Sequence, residues 1–374
     1  MIDPALASQR QSRLFAAMDD AGIDVAAVIP GPNFYFLTGV HFGLMERPTV
    51  LFVGRTGERH AVIPLLERSR WQAAAPDVET AYWQDADGYG DAFRRIAAQI
   101  GATGGSLRIG VEGQRMRFFE AQALREAFAG ATVADAHAAI SRMRLHKDAD
   151  EIAALSRAIA ISEAALESAI ARAAADMSEA EFRRILLTAM LEHGADGPSF
   201  EPIVLAGAAS ADPHGTPTAE RRLETGQPLL VDYGAAWGGY AADITRTFFV
   251  GHATPEHRAI YEAVRGANAL GHEIGRPGMT MDDYDRRVTQ ALKDAGFADL
   301  VVHKTGHGLG LEVHEAPQVM VGNMQEMEPG IVFTLEPGLY RDGDIGVRIE
   351  DDLVVTQDGV RSLTGFAREL TLIG

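Results

Sequence analysis

The chain has 374 residues, enough for about two domains that each bury a core, and its 47% apolar and 23% charged content is ordinary for a globular protein. Its formal charge of −18, from 34 basic and 52 acidic residues, repels phosphate backbones and anionic membrane surfaces, so neither nucleic acid nor a membrane is an expected partner. There is no cysteine, which excludes disulfides, zinc–thiolate sites and cysteine nucleophiles and leaves His, Asp and Glu as metal ligands.

The N-terminus lacks a basic segment followed by an apolar core, and no apolar run approaches the ~20 residues that span a bilayer, so a cytoplasmic location is expected. Residues 1–140 read as an α/β domain. A helix over Arg13–Ala21 is stopped by Gly22. The runs DVAAVIP, TVLFVG, HAVIPL and RIGVEG read as short strands, several buried on both faces. Helical patterns lie between them at Leu65–Ala75, Asp91–Ile100 and Met116–Phe128. No glycine-rich strand-to-helix turn of a phosphate loop is present, so a scaffolding or assembly role is expected.

Residues 147–374 read as a second, α+β domain. A long helix carries Ile152, Leu155, Ile159, Leu166 and Ile170 at helical spacing. The next helix begins at Ser178 with Glu181 three residues on, a capping box, and stops before Gly194. Two more fit Pro255–Leu270 and Met281–Ala295, the latter capped by Thr280 and closed by Gly296. Antiparallel hairpin patterns lie between and after them, giving a faint duplication of two helices followed by hairpins.

The stretch LLVDYGAAWGGYAADITRTFFV (229–250) reads as two strands around Gly238–Gly239. A turn centred between Trp237 and Gly238 sets Asp232 opposite Asp243, where Cβ atoms lie roughly 4.5–5.5 Å apart. Two like charges so placed are destabilising unless a cation lies between them; the alternative is a pair of solvated hairpin acids. In a second hairpin, 333–355, Glu336 and Glu350 are each seven residues from Gly343, and Pro337 makes the pairing beside Glu336 irregular. The stretch KTGHGLGLEVHEAP (304–317) sets His307 and His314 seven residues apart among glycines. A lone histidine is more often a satisfied hydrogen-bonding residue than a ligand. Four carboxylates with an imidazole, however, form a sensible set for two divalent cations, whose charge removes the repulsion between the acids. Oxygen-rich ligation with one histidine suits Mn²⁺, Co²⁺ or Zn²⁺. Two such metals roughly 3.5–4 Å apart activate water near neutral pH, which is hydrolytic chemistry.

Taken in order, Asp-x10-Asp within DYGAAWGGYAADITRT, then GHGLGLEVHE, EPG and RIED resemble the Xaa-Pro peptidases of the M24 metallopeptidase family. The resemblance implies a pita-bread catalytic domain with an antiparallel sheet behind a creatinase-type N-terminal domain. It implies that Asp232 and Asp243 ligate one metal and His307 and Glu336 the other, with Asp243 and Glu350 bridging, and Mn²⁺ as the first choice of metal. His214 is then the residue that contacts the substrate or its tetrahedral intermediate, and His314 sits near the scissile carbonyl. His303 lines the proline pocket, with Tyr340 and Arg348 also at matching positions. Arg348 orients a ligating carboxylate or is a strand-surface arginine. Glu336 moves the catalytic proton.

The implied substrates are proline-containing dipeptides, as for a prolidase, or longer Xaa-Pro peptides, as for aminopeptidase P. The short chain favours the dipeptidase, which must hold a free carboxylate; Arg348, Arg341 and His303 are candidates. A homodimer is also implied. The rivals are another hydrolysis or a lyase step on the same fold, and a non-catalytic binding protein.

Overall fold

The computed structural model describes residues 4–101 and 107–374, and the chain divides into two units, Met1–Arg144 and Leu145–Gly374. In the first, short apolar runs form a six-stranded mixed sheet in the order Glu79–Trp83, Arg59–Pro64, Val50–Gly54, Val25–Val28, Arg108–Val111, Thr132–Asp135. The middle strands Val25–Val28 and Val50–Gly54 are buried at every position, as a sheet covered on both faces requires. The first helix starts earlier than its apolar pattern suggests, at Pro4, and ends before Gly22 at φ 63°. The expected helix at 65–75 is a tight turn over Leu65–Glu67 and α-helical over Arg68–Ala74. A short helix, Pro32–Thr38, has no counterpart in the sequence reading. Pro32 supplies its first-turn φ, and Gly39 at φ 69° closes it.

The second unit has two main sheets, each packed on a pair of helices, beside a small three-stranded sheet (Tyr240–Ala241, Ala235–Trp237, Gly197–Pro198) and a two-stranded one (Gly338–Arg341, Ile345–Arg348). The four-stranded sheet, Leu372–Ile373, Ile244–Val250, Pro228–Tyr233 and Ile203–Ala206, belongs to the core with helices Ala149–Ile170 and Glu179–Glu192. The five-stranded sheet, Glu315–Val319, Gly306–Gly308, Val332–Leu335, Asp351–Val355 and Val360–Ser362, belongs to the core with helices Pro255–Ile274 and Met281–Leu292. Polar side chains set the helix starts. Asp148, Ser178, Thr254 and Thr280 each accept the backbone N–H three residues on. The helix expected to reach Ala295 stops at Leu292, because residues 293–297 widen into a turn around Gly296 at φ 94°.

Arg246 ties the two sheets together. It is 1% exposed. Its guanidinium donates to the carbonyls of Thr245, Glu350, Phe366 and Ala367, and to Asp351 Oδ1 at 2.7 Å. Those five bonds match the donor count of an arginine, so its buried charge is fully satisfied. Asp351 also accepts from Asn268 (3.0 Å), and against its burial Arg246, His272 (3.0 Å) and Arg368 (2.6 Å) hold its carboxyl below the usual range. Arg246→Ala would strand these groups, and a loss of about 3–5 kcal/mol is expected on chemical denaturation. A loss below about 1 kcal/mol, in the range of a surface ion pair, would contradict this role.

Candidate metal centre

The site forms where the two sheets meet, and hairpin register decides which acids face each other. In the first hairpin Asp232 pairs with Thr245 and Trp237 with Tyr240. The turn is therefore centred between Gly238 and Gly239, one residue beyond the expected centre. Gly238 and Gly239 have φ of 60° and 85°, the two positive values of a type I′ turn. Asp243 is thus not opposite Asp232, which corrects the sequence reading. It lies two residues from Asp232's partner, a diagonal neighbour on the same face.

The second hairpin keeps the expected register, with Gly338 paired to Arg348 and Leu335 to Asp351, so Glu336 and Glu350 correspond. Pro337 interrupts the ladder between these two stretches. Released from each other, Glu336 N–H donates to Thr305 O (2.8 Å) and Glu350 N–H to Thr245 O (3.0 Å). One acid is thereby fixed beside the strand of His307 and the other beside the strand that pairs with Asp232.

His307 is 4% exposed. Its backbone N–H donates to Thr334 Oγ1 (3.1 Å) and its Nδ1 to the Gly308 carbonyl (3.1 Å). Nε2 is left 3.6 Å from Asp243 Oδ2 and 3.6 Å from Glu336 Oε1, beyond ordinary hydrogen bonds. The flanking glycines allow this approach. A Cβ on Gly306 would meet Thr334 O at 2.0 Å, and one on Gly308 would meet Ala316 O at 2.2 Å.

Ligand atoms of Asp232, Asp243 and Glu350 lie within 4.8 Å of one another, as do those of His307, Glu336 and Glu350. Glu350 belongs to both sets. Asp243, His307 and His314 form a third, the two imidazoles standing edge to face with ring centres 4.0 Å apart. Burial, then the charges of Glu350 and Asp232, push the Asp243 carboxyl well above its ordinary range. Burial, then Glu336 and Asp232, does the same to Glu350. Glu336 is pushed up to about 7, chiefly by burial and against the pull of Arg348. Asp232 Oδ1 is buried with no hydrogen-bond partner. Such a cluster cannot hold all its negative charges bare, and it presents aimed oxygens and one free imidazole nitrogen. The donor set fits a pair of divalent cations.

Around the acids the polar groups are already paired. Arg348, 4% exposed, donates to Asp232 Oδ2 (2.5 Å), Thr245 Oγ1 (2.9 Å) and the Tyr340 hydroxyl (2.7 Å). It is neither a strand-surface arginine nor a free contact for a substrate carboxylate; it holds Asp232 in place. Arg341 is likewise engaged, with Glu256 (2.5 Å) and Asp344 (3.2 Å). The Tyr340 hydroxyl donates onward to His303 Nε2 (2.9 Å), and His303 Nδ1 donates to the Lys304 carbonyl (2.7 Å). This chain requires a neutral His303, and burial followed by Arg348 lowers its pKa to about 4.

His214 is exposed in the loop after Gly207–Ala211. Sequence reasoning missed Thr245 and Thr334, whose hydroxyls fix Glu350 (2.5 Å) and His307. Thr245 lies two residues after Asp243, and that alternation could have marked it as sharing the site's face.

Residues 153–357 match the description Metallopeptidase family M24, and residues 10–146 match Creatinase/Prolidase N-terminal domain. A relative, the Xaa-Pro dipeptidase of Pyrococcus furiosus, is 36% identical over 62% of this chain and 66% of its own. The crystal structure of a prolidase from Thermococcus sibiricus superposes with a TM-score of 0.92 at 31% identity, covering 100% of both chains. That of an X-Pro aminopeptidase from Thermotoga maritima gives 0.84 at 26% identity, covering 97% of this chain and 99% of its own.

The His303 ring resonances are expected to titrate by NMR with a midpoint near 4, well below the ordinary 6.5. Because the folded value is depressed, the unfolded chain binds the proton first. This histidine's contribution to stability is full above about pH 6.5 and is lost as pH falls through the window to about 4. A midpoint near 6.5 would contradict the relay.

Proposed function

The chain belongs to metallopeptidase family M24, and from that premise we propose that it hydrolyses Xaa-Pro dipeptides with two divalent cations held by Asp232, Asp243, His307, Glu336 and Glu350. The observation that carries the reading is the pair of ligand sets joined at Glu350, made of buried acids whose repulsion calls for cations. Mn²⁺ is the proposed ion, since oxygen-rich ligation with one imidazole suits it, with Co²⁺ or Zn²⁺ as alternatives. Bound there, divalent cations would supply Lewis-acid polarisation of the scissile carbonyl and a water acidic enough to act near neutral pH.

The chain's own groups do the rest. A Glu336 carboxylate oxygen takes the proton from the nucleophile and delivers it to the leaving nitrogen of proline. His314, beside His307, or His214 is the donor for the developing oxyanion. His303 and Tyr340 form a wall of the proline pocket. Their polar atoms are spent on each other, on Arg348 and on a backbone carbonyl. Such a wall suits a ring whose imide nitrogen has no N–H to offer and must be recognised by shape. Among the described residues no helix is long and apolar enough to cross a membrane. A homodimer completes the proposal, on the strength of the family resemblance.

The test is hydrolysis of Ala-Pro beside Ala-Pro-Ala, each with Mn²⁺ and with a chelator. Cleavage of the dipeptide alone, abolished by the chelator, is expected; cleavage of the tripeptide would instead assign an aminopeptidase. If neither is cut by protein holding both metals, the Xaa-Pro reading fails. His307→Ala should lose metal and activity together, and a variant that kept two metals would contradict its place as a ligand.

A further inference from the structure

A dipeptide differs from a longer Xaa-Pro peptide by the free carboxylate on its proline, and seating that anion near four acids requires a cation. Most cations near the site are already spent. Arg348 is buried and committed to Asp232, Tyr340 and Thr245. Arg341 pairs with Glu256 and Asp344. Lys147, 1% exposed, lies 2.5 Å from Glu315. His303 is neutral at the pH of the reaction.

Lys304 stands apart. Its ammonium donates to the side-chain carbonyl of Gln318, a neutral acceptor, and it forms no ion pair with a carboxylate among the described residues. Gln318 pairs across strands with His307. Directly paired residues share a face, so the bond to Gln318 sets the ammonium on the face from which His307 reaches the acids. The residue itself is half-buried between His303 and Thr305.

We propose that Lys304 is the specificity-determining cation that receives the proline carboxylate of an Xaa-Pro dipeptide, with Gln318 holding the ammonium ready. The assignment rests on the Xaa-Pro reading above. An ammonium has three donors, so it keeps the Gln318 bond while taking the carboxylate. A neutral partner also leaves its charge unspent, which an acid in place of Gln318 would not. When a further residue follows proline, the carboxylate becomes an amide and the charge contact is lost.

The experiment compares the full-length, Mn²⁺-loaded wild type with Lys304→Ala and Lys304→Arg, using Ala-Pro and its uncharged C-terminal amide. For Lys304→Ala, KM for Ala-Pro should rise about 10- to 100-fold, the size of one hydrogen-bonded charge contact. Its kcat and metal content should stay close to wild type, and KM for the amide should not move. Lys304→Arg should restore most of the Ala-Pro affinity. An unmoved KM for Ala-Pro, or equal loss with both substrates, overturns the assignment of Lys304 alone. A wild type inert toward both substrates overturns the Xaa-Pro reading and this assignment with it.

Discussion

Buried carboxylates that repel one another are the constraint on which the second unit is built. Asp232, Asp243, Glu336 and Glu350 converge in a largely buried site, where burial and mutual charge raise the pKa of Asp243, Glu336 and Glu350. A fold stabilised only by its own contacts would separate such groups. Here they are held by bonds made elsewhere: Glu336 and Glu350 through their backbone N–H groups, Asp232 through Arg348, and Glu350 also through Thr245. The arrangement is tense without cations and complementary with them.

The supporting contacts come from strands on both sides of the site. Arg246 links the strand carrying Thr245 to the strand after Glu350, and its bonds to the Glu350 carbonyl and Asp351 fix the backbone that presents the acid. Pro337 has the opposite effect. By breaking the ladder between Glu336 and Glu350 it frees each acid's backbone N–H for a different neighbour. A regular hairpin would have paired the two acids with each other. One proline and one buried arginine thus convert two ordinary hairpins into two sets of candidate ligands that share Glu350.

Much of this was legible in the sequence because alternation and turn chemistry are local signals. The register of the second hairpin follows from Gly343 in its turn, and the long helix from apolar spacing. The first hairpin was misjudged by one residue, since two adjacent glycines admit two turn centres and only their φ values choose between them. The edge strands Glu79–Trp83 and Thr132–Asp135 passed unseen because they are partly exposed and carry little apolar signal. The commitment of Arg348 to Asp232, 116 positions away, and the neutral partner of Lys304 are tertiary facts with no local trace. Sequence nominated Arg348 and Arg341 but could not show that both were already engaged, and it passed over Lys304.

The central claim is that these acids exist to hold two cations, and the most direct measurement is the metal stoichiometry of the purified chain. Mn²⁺ titrated calorimetrically into metal-free protein, with elemental analysis of the product, should give two ions per chain and a raised unfolding temperature as the repulsion is relieved. A chain that binds no metal, or saturates at one without gaining stability, would contradict the account.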